Sequence, residues 1–185
     1  MAEIKNPNSE LAWFHCASLG EFEQGRPVME KLKSKNSNIK ILLTFFSPSG
    51  YEIRKNYAGA DHVMYLPVDF SSNAKKFLDI VKPAKIIFIK YEFWFNFLTE
   101  IFKRKIPCYL ISASFRLDQY FFRFHGGWFR NKLKNFTHIF AQVEDSKAIL
   151  ELYDFKNVSV SGDTRFDRVM EVAKNHPAIP LVEKF

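Results

Sequence analysis

Apolar residues occur along this chain in short runs that show little alternation between apolar and polar positions. The runs are rich in Ile, Val, Leu and Phe, as is typical of parallel β-strands covered on both faces of a sheet. We therefore predict strands at residues 11–16, 39–46, 62–66, 85–89, 108–112, 138–141 and 157–161.

The segments between these runs have the spacing of amphipathic helices. Apolar residues recur on one face at 27–33, 73–81 and 146–153. Alternating strands and helices are typical of βαβ units with right-handed crossovers. The pattern predicts an α/β fold with a parallel sheet. The sequence contains neither G-x-G-x-x-G nor G-x-x-x-x-G-K-[ST], so it shows no nucleotide-binding fingerprint.

The composition narrows the class of protein. A formal net charge of +7 favours acidic partners such as nucleic acid, anionic lipid or a phosphorylated substrate, although a solvated basic surface is the plainer interpretation. The 21 phenylalanines exceed what one core usually needs and indicate exposed aromatic surface. Cys16 and Cys108 lie in apolar runs and are expected to be buried thiols of a reducing compartment.

Membrane-spanning and metal-binding patterns are absent from the sequence. No apolar stretch approaches the roughly 20 residues that cross a bilayer, and residues 1–10 are too polar for a signal peptide. The histidines are scattered, and no Cys/His spacing indicates a metal site.

Small, polar or charged residues directly follow most of the predicted strands. The carboxyl ends of parallel strands lie at one edge of an open α/β sheet, and ligands bind in the crevice there. We therefore expect one rim to gather the chemistry of this chain. The clusters concerned are residues 18–21, 47–50, 90–92, 112–116 and 162–165.

Ser18, Gly20 and Glu21 follow the first predicted strand. A small residue and a glycine let the backbone turn tightly and let a ligand approach closely. Glu21 falls near a helix start, where backbone N–H groups stabilise its anion. Desolvation in a crevice would instead make it a better base. A carboxylate that only complements the helix dipole is the alternative interpretation.

Glu92 follows the fourth predicted strand and stands among aromatic residues. An unpaired charge is costly in such surroundings. Glu92 could act as a second carboxylate, bind a sugar hydroxyl or position a loop by accepting backbone hydrogen bonds. The alternative is that it caps the helix predicted to begin near Trp94.

Ser47, Ser49 and Gly50 have the pattern of a turn followed by a helix start. Helix N-termini bind anions readily, so a phosphate or carboxylate ligand and an ordinary cap are both open. Arg116 and Arg165 lie near the same rim and suit bidentate contacts with such anions. Arg165 could equally pair with a nearby aspartate at the surface, which would contribute little stability.

Aromatic and basic residues are interleaved at 120–134. Rings at the acyl boundary with cations on anionic headgroups would make this a membrane-interfacial segment. Stacking on single-stranded nucleic acid and a core helix with a basic outer face are the alternatives. The density of rings favours the membrane interpretation.

Together these motifs resemble the N-terminal half of the Kdo transferases, the 3-deoxy-D-manno-octulosonic acid transferases of lipopolysaccharide synthesis. The resemblance covers nearly the whole chain, in the same order. At one position it departs, because the family usually has Trp-Pro-Asn where this chain has Trp94, Phe95 and Asn96. The motifs are residues 13–21, 47–50, 91–96 and 161–167, of which the first and last are the most specific.

The resemblance implies a GT-B glycosyltransferase, in which two Rossmann-like domains face a cleft. Residues 1–175 would form the Rossmann-like domain that binds a lipid A precursor. Residues 176–185 would begin the linker to a second domain, absent from this chain, that binds CMP-Kdo. The chain would also lack the family's short N-terminal membrane anchor. It would act at the cytoplasmic face of the inner membrane and would be inactive alone.

Carried over to matching positions, the family's general base is Glu21. It would take a proton from the acceptor hydroxyl as that oxygen attacks the anomeric carbon of Kdo and inverts it. Glu92 would support the acceptor or the cleft geometry. The resemblance implies no metal, no cofactor other than CMP-Kdo as donor substrate, and no nucleic-acid partner. Ser47, Ser49, Arg116 and Arg165 would bind the acceptor phosphates or the Kdo carboxylate. The full set of residues expected to bind substrate is Ser18, Gly20, Ser47, Ser49, Gly50, Arg116 and Arg165.

Two other functions stay open. One is a GT-B transferase that acts on another lipid-linked sugar. The other is a non-catalytic basic module that binds membranes or nucleic acid through residues 120–134.

Overall fold

The computed structural model describes residues 10–91, 93–123, 126–166 and 169–170. Strands alternate with helices at the positions that the apolar runs predict. In chain order the elements are β1 (Leu11–His15), α1 (Leu19–Lys35), β2 (Lys40–Phe45), α2 (Pro48–Arg54), β3 (His62–Tyr65), α3 (Ser71–Val81), β4 (Lys85–Ile89), α4 (Phe95–Lys103), β5 (Cys108–Ala113), a 3₁₀ turn (Tyr120–Phe122), α5 (Gly127–Leu133), β6 (His138–Ala141), α6 (Glu144–Leu152) and β7 (Val158–Val160).

The strands form one parallel sheet in the order β3-β2-β1-β4-β5-β6-β7. The chain builds outward from β1 to β3 and then returns to place β4 on the other side of β1. This is a doubly wound, Rossmann-like arrangement, so the predicted α/β fold is confirmed. The order reverses between β1 and β4, and ligands bind at such points in doubly wound sheets.

Helices cover both faces of the sheet, which explains why the strands lack alternation. Helix α1 packs Phe22 and Met29 against one face. Helices α3 and α4 pack Phe77 and Phe97 against the other. On that second face the fully buried ring of Trp13 contacts both phenylalanines, with ring centroids 4.9 and 5.8 Å away. Burial of each such ring stabilises the fold by about 1.5–3 kcal/mol.

Helix α1 is longer than its predicted amphipathic part. The amphipathic pattern covers residues 27–33, whereas α1 begins at Leu19 and Pro27 lies inside it. The expectation that Glu21 falls near a helix start is confirmed. The actual start is set by Ser18 as N-cap and Glu21 three residues later, the capping-box pattern.

An ion-pair cluster closes the amino edge of the sheet in front of β3. Asp61 accepts hydrogen bonds from Ile41 N and Lys40 Nζ at 2.9 Å each, and from Lys33 Nζ at 3.1 Å. Burial acts to raise the pKa of Asp61, but these hydrogen bonds outweigh it and lower the pKa to about 2. The carboxylate therefore stabilises the folded chain at neutral pH.

Candidate active site at the carboxyl edge of the sheet

The carboxyl ends of β1 and β4 mark the point where the strand order reverses. These strands are paired, and His15 lies opposite Phe88. Residues 16–18 follow β1, and Lys90 and Tyr91 follow β4, so both segments lie at this edge. The crevice of a doubly wound sheet opens at such a point. The predicted rim therefore centres on these two segments.

Glu21 lies in the first turn of α1 at this rim and is half-buried. Its Oε2 atom accepts hydrogen bonds from Ser18 N at 2.8 Å and from Ser18 Oγ at 3.2 Å. These bonds restrain the carboxylate beside the crevice. Glu21 therefore lies at the start of a helix and at the rim of the sheet, the two settings that the sequence suggested for it.

The two glycines of the rim have different surroundings. Gly20 is exposed, and the nearest atom to a Cβ added there would be Ser18 Oγ at 3.9 Å. Gly50 is buried, and a Cβ there would overlap the Phe45 ring and lie 3.1 Å from Leu19 N. Packing of α2 on the start of α1 therefore requires glycine at position 50, whereas packing does not require it at position 20.

Ser47 caps α2 and ties its start to the loop after β1. Ser47 Oγ accepts a hydrogen bond from Ser49 N at 3.3 Å and lies 2.9 Å from Ser49 Oγ. Ser47 N donates to Ala17 O at 2.7 Å. The cap considered from the sequence is present, and it places Ser47 beside Ser18 at the rim.

The loop after β4 contains Glu92, which lies outside the described residues. Helix α4 begins after it at Phe95, as predicted. Asp69 caps this helix from another loop: its Oδ2 accepts from Asn96 N at 3.2 Å and its Oδ1 from Phe97 N at 3.1 Å. The sequence offered Glu92 as the cap but gave no sign of Asp69, which is 27 residues away from its partner Asn96.

Phe95 stands where the family resemblance has proline. Its ring centroid lies 4.8 Å from that of Phe129 and 5.7 Å from that of Trp128, both on α5. Ring packing therefore adds to the hydrogen bonds of Asp69 in holding the first turn of α4.

Apolar side chains form the rim on the β2 side of the crevice, a surface that we name the apolar shoulder and define as Phe46, Val68, Phe70 and Trp94. The Phe46 ring contacts the Trp94 ring at 4.8 Å between centroids. Phe46 is 48% exposed, Val68 53% and Phe70 63%. Phe46 N also donates to Ala17 O, so this surface borders the loop that leads from β1 to the start of α1, where Glu21 lies.

The aromatic and basic stretch at 120–134 divides between core and surface. Phe122 is buried, whereas Tyr120 and Trp128 are more than half exposed. Lys132 Nζ lies 5.4 Å from the centroid of the Trp128 ring. The sequence left core packing and an exposed aromatic surface with basic neighbours as alternatives. This stretch contains both.

The two rim arginines contact carboxylates. Arg165 Nε and Nη2 donate to Asp163 Oδ2 at 2.8 and 2.5 Å, and these hydrogen bonds lower the pKa of Asp163. Arg116 Nε donates to Asp118 Oδ1 at 3.2 Å, and both of these side chains are exposed. The surface pairing considered for Arg165 is thus present, and a ligand would compete with these pairs.

A second set of polar groups, which we name the polar cluster, consists of Ser112, Thr164 and Gln24. Ser112 Oγ lies 3.0 Å from Thr164 Oγ1, which donates to Gln24 O at 2.8 Å. Gln24 is 1% exposed, yet neither its Oε1 nor its Nε2 has a hydrogen-bond partner within the part of the chain that the structure describes. The sequence did not single out Gln24, because no local pattern separates a buried glutamine from an exposed one.

Two residues at the carboxyl edge have a left-handed backbone without being glycine. The φ angle is 68° at Lys90 and 52° at Ser112. Lys90 directly follows β4, and Ser112 lies in the neighbouring strand β5, where the pairing with β6 is irregular. Such conformations cost about 1–3 kcal/mol each and cluster at ligand-binding sites.

Other predicted features concern metals, membranes and thiols. The described ranges contain no group of three His, Cys, Asp or Glu side chains placed to hold a metal ion. Among the helices of those ranges, none combines the length and the apolar character needed to cross a membrane. Cys16 and Cys108 are buried as predicted, and burial raises the pKa of the Cys108 thiol.

Comparison with protein families and curated proteins identifies relatives. Residues 1–168 match the family described as 3-deoxy-D-manno-octulosonic-acid transferase (kdotransferase). The 3-deoxy-D-manno-octulosonic acid transferase of Aquifex aeolicus is 35% identical over 111 residues, 60% of this chain and 30% of the relative. That of Bordetella pertussis is 25% identical over 183 residues, 94% of this chain and 42% of the relative. The chain thus spans less than half the length of these curated relatives.

Solved structures share the fold. UDP-GlcNAc 2-epimerase from Neisseria meningitidis has a TM-score of 0.66 at 20% identity, covering 90% of this chain and 50% of that chain. UDP-N-acetylglucosamine 2-epimerase from Rickettsia bellii has a TM-score of 0.67 at 13% identity, covering 95% and 50%. These matches support the predicted fold, a Rossmann-like half of a GT-B protein. Because the family match extends over residues 1–168 of 185, the chain belongs to the 3-deoxy-D-manno-octulosonic acid (Kdo) transferase family.

Proposed function

We propose that the complete protein transfers Kdo from CMP-Kdo to a lipid A precursor, and that this chain binds the acceptor and supplies the base, Glu21. The observation that carries the proposal is the position of Glu21, half-buried at the switch point of the sheet and anchored by Ser18. Membership of the Kdo transferase family supports the reaction class.

In the proposed reaction Glu21 accepts the proton of an acceptor hydroxyl. The acceptor oxygen forms a bond to the anomeric carbon of Kdo while the bond from that carbon to the CMP phosphate breaks. CMP leaves with the bonding electrons, and attack from the opposite face inverts the anomeric centre. A general base must come within about 2.6–3.2 Å of the hydroxyl oxygen. The two hydrogen bonds from Ser18 hold the Glu21 carboxylate at the rim, and this position supports its assignment as the base.

The acceptor is proposed to lie over the exposed face of Gly20, with Ser18, Ser47 and Ser49 beside it. Gly20 suits this role because the space next to its Cα is open. Gly50 contributes through packing that positions α2.

Anionic and supporting groups complete the proposed site. Arg116 and Arg165 would exchange their aspartate partners for acceptor phosphates or the Kdo carboxylate, and Glu92 would support the acceptor. CMP-Kdo enters as a substrate bound mainly by the rest of the complete protein, and the proposal assigns no metal or cofactor to this chain.

The decisive experiment is Glu21→Gln in the complete protein. Glutamine also occupies the third helical position of a capping box, so the fold should be kept while the base is lost. We expect kcat for Kdo transfer to fall about 10²- to 10⁴-fold, the usual contribution of a general base. The KM for acceptor should change little. A rate within threefold of the wild-type rate would exclude Glu21 as the base.

A matched control is Glu23→Gln on the same helix. Glu23 is also half-buried, and its Oε1 accepts from Arg54 Nη2 at 2.7 Å, away from the proposed reaction. We expect transfer within about twofold of wild type, since a partly exposed pair contributes about 0.2–1 kcal/mol. Assays with UDP-sugars in place of CMP-Kdo would test the alternative of another lipid-linked sugar.

We further propose that the complete protein works peripherally at the cytoplasmic face of the inner membrane. The exposed rings of Tyr120 and Trp128, with Lys132 beside Trp128, carry this proposal. Sedimentation with liposomes that contain lipid A precursor, compared with binding to single-stranded DNA at equal salt, tests it. Preference for DNA with a steep salt dependence would favour the nucleic-acid alternative instead.

A further inference from the structure

The crevice at the carboxyl edge has two chemically different sides, and Lys90 lies between them. The apolar shoulder occupies the side of β2, whereas the polar cluster and Asp163 occupy the side of β5 to β7. Lys90 follows β4, the strand between β1 and β5. Lys90 therefore lies where the polar part and the apolar part of a bound molecule would meet.

The packing of α1 on β4 places Glu21 and Lys90 at the same edge of the sheet. A Cβ on Gly25 would lie 3.1 Å from Ile89 Cδ1, so this face of α1 rests on the end of β4. Glu21 lies one turn before Gly25 on the same helix face, and α1 begins at the carboxyl edge. Lys90 follows Ile89 toward that same edge. The helix and the strand therefore each present one charged residue to the switch point.

Lys90 forms no salt bridge with any carboxylate of the described residues. Its Nζ lies 5.9 Å from the Tyr91 ring centroid, and its charge contributes a small part of the lowered pKa of Asp163. Lys90 is half-buried. In the polar cluster, the side-chain amide of Gln24 has no hydrogen-bond partner among the described residues.

The backbone of Lys90 is an additional sign of function. Its φ angle of 68° is left-handed, and a glycine would adopt it without strain. Lys90 keeps this strained conformation at the switch point of the sheet. Strained residues are often found where proteins hold ligands.

We propose that Lys90 binds an anionic group of the substrate, a phosphate or a carboxylate, beside the reacting hydroxyl at Glu21. The inference rests on the proposed function for the identity of the molecule and adds a residue to its site. A phosphate would come from the acceptor and a carboxylate from Kdo. In either case the apolar shoulder would face the apolar part of the lipid acceptor.

The first experiment measures binding without catalysis. The complete protein is titrated calorimetrically with two soluble probes, free Kdo and the phosphorylated glucosamine disaccharide without acyl chains. We expect Lys90→Met to weaken one of them about 10- to 100-fold, the usual effect of losing a charged hydrogen bond. Weakening of the disaccharide identifies a phosphate ligand, and weakening of Kdo identifies a carboxylate. Equal titrations of wild type and variant, including no binding by either, would overturn the proposal.

Lys82→Met is the matched control, because Lys82 is also a lysine with left-handed backbone, at φ 45°, but lies at the opposite edge of the sheet. Its titrations should equal those of wild type. Lys90→Gly separates binding from folding: it removes backbone strain, so the melting temperature should hold or rise while binding weakens as in Lys90→Met.

Transfer kinetics then separate this inference from the proposed function. If wild type transfers Kdo and Lys90→Met raises neither the acceptor KM nor the donor KM beyond twofold, the role of Lys90 is refuted while the proposed function stands. If wild type transfers no Kdo but Lys90→Met still weakens one probe, the proposed function fails and the anion site stands.

Discussion

The two edges of the sheet both contain left-handed residues, but in different settings. At the amino edge, Lys82, Lys105 and Asp154 come at the ends of helices, where the left-handed conformation is a common way to stop a helix. At the carboxyl edge, Lys90 directly follows β4 and Ser112 lies within β5, so neither residue ends a helix. Chain reversal explains the strain at the amino edge, and the irregular pairing of β5 with β6 accounts for Ser112, but neither explains the strain at Lys90.

Polar groups differ between the edges in the same way. Asp61 at the amino edge has three hydrogen bonds to its carboxylate from Ile41, Lys40 and Lys33. At the carboxyl edge the buried side-chain amide of Gln24 has no hydrogen bond to any of the described residues. The amino edge is complete in its own contacts, whereas the carboxyl edge has polar groups that a ligand could satisfy. The comparison assigns a structural role to the amino edge and is consistent with the ligand site proposed at the carboxyl edge.

The largest expected effect is a loss of stability on substitution of Gly50, which would show that part of the carboxyl edge also stabilises the fold. Gly50→Ala places a methyl group into the Phe45 ring and against Leu19 N, and we expect the free energy of unfolding to fall by up to about 3 kcal/mol, as for other overpacked cores. Urea denaturation measures this. Unchanged stability together with impaired acceptor binding would show instead that Gly50 belongs to the ligand site.

Asp61→Asn tests the amino edge. Lowering the pKa of Asp61 from 3.8 to about 2 corresponds to about 2 kcal/mol of stability, which the variant should lose at pH 7. Because the folded pKa is the lower one, wild type has this contribution above pH 3.8 and loses it as pH falls toward 2.

The difference in unfolding free energy between wild type and Asp61→Asn should therefore shrink over that acidic range. A difference that stays constant down to pH 2 would contradict the role assigned to this carboxylate. Kdo transfer by the folded variant should stay within about twofold of wild type, because Asp61 lies at the edge opposite the crevice.

The strands and the rim were predictable because their signals are local. Each run of apolar residues predicts one strand, and the capping-box spacing of Ser18 and Glu21 places a carboxylate at a helix start. Parallel order then gathers the strand ends at one edge. The amphipathic spacing marked only the later part of α1, at 27–33, whereas the cluster after β1 indicated its start near Glu21.

Features that depend on distant partners were not predictable. Asp69 is an ordinary loop aspartate until the fold brings it to the start of α4. Gln24 becomes notable only because α1 buries it without a partner. The left-handed φ of Lys90 is set by how β4 leaves the sheet, and a lysine gives no local sign of that conformation.

Asp69→Ala tests whether this distant cap matters at the carboxyl edge. Two backbone N–H groups, those of Asn96 and Phe97, lose their acceptor, and we expect a loss of about 1 kcal/mol, typical of a helix cap. The acceptor KM should also rise, because α4 begins directly after the loop that follows β4. Asp79→Ala is the control, since Asp79 is exposed and pairs only at the surface with Arg104. Equal effects of the two substitutions would exclude a special role for the cap.

Gly20→Ala has the smallest expected effect on stability and the opposite sign. Gly20 lies in the first turn of α1 and nothing packs against its open side, so alanine should stabilise the helix by about 0.5 kcal/mol. The same methyl group would stand where the acceptor is proposed to approach Glu21, so the acceptor KM should rise although the fold is firmer. Thermal unfolding and transfer kinetics on one preparation measure both quantities. An alanine variant that is more stable and equally active would mean that no ligand passes this glycine, and the difference between the two edges would then rest on Lys90 and Glu21 alone.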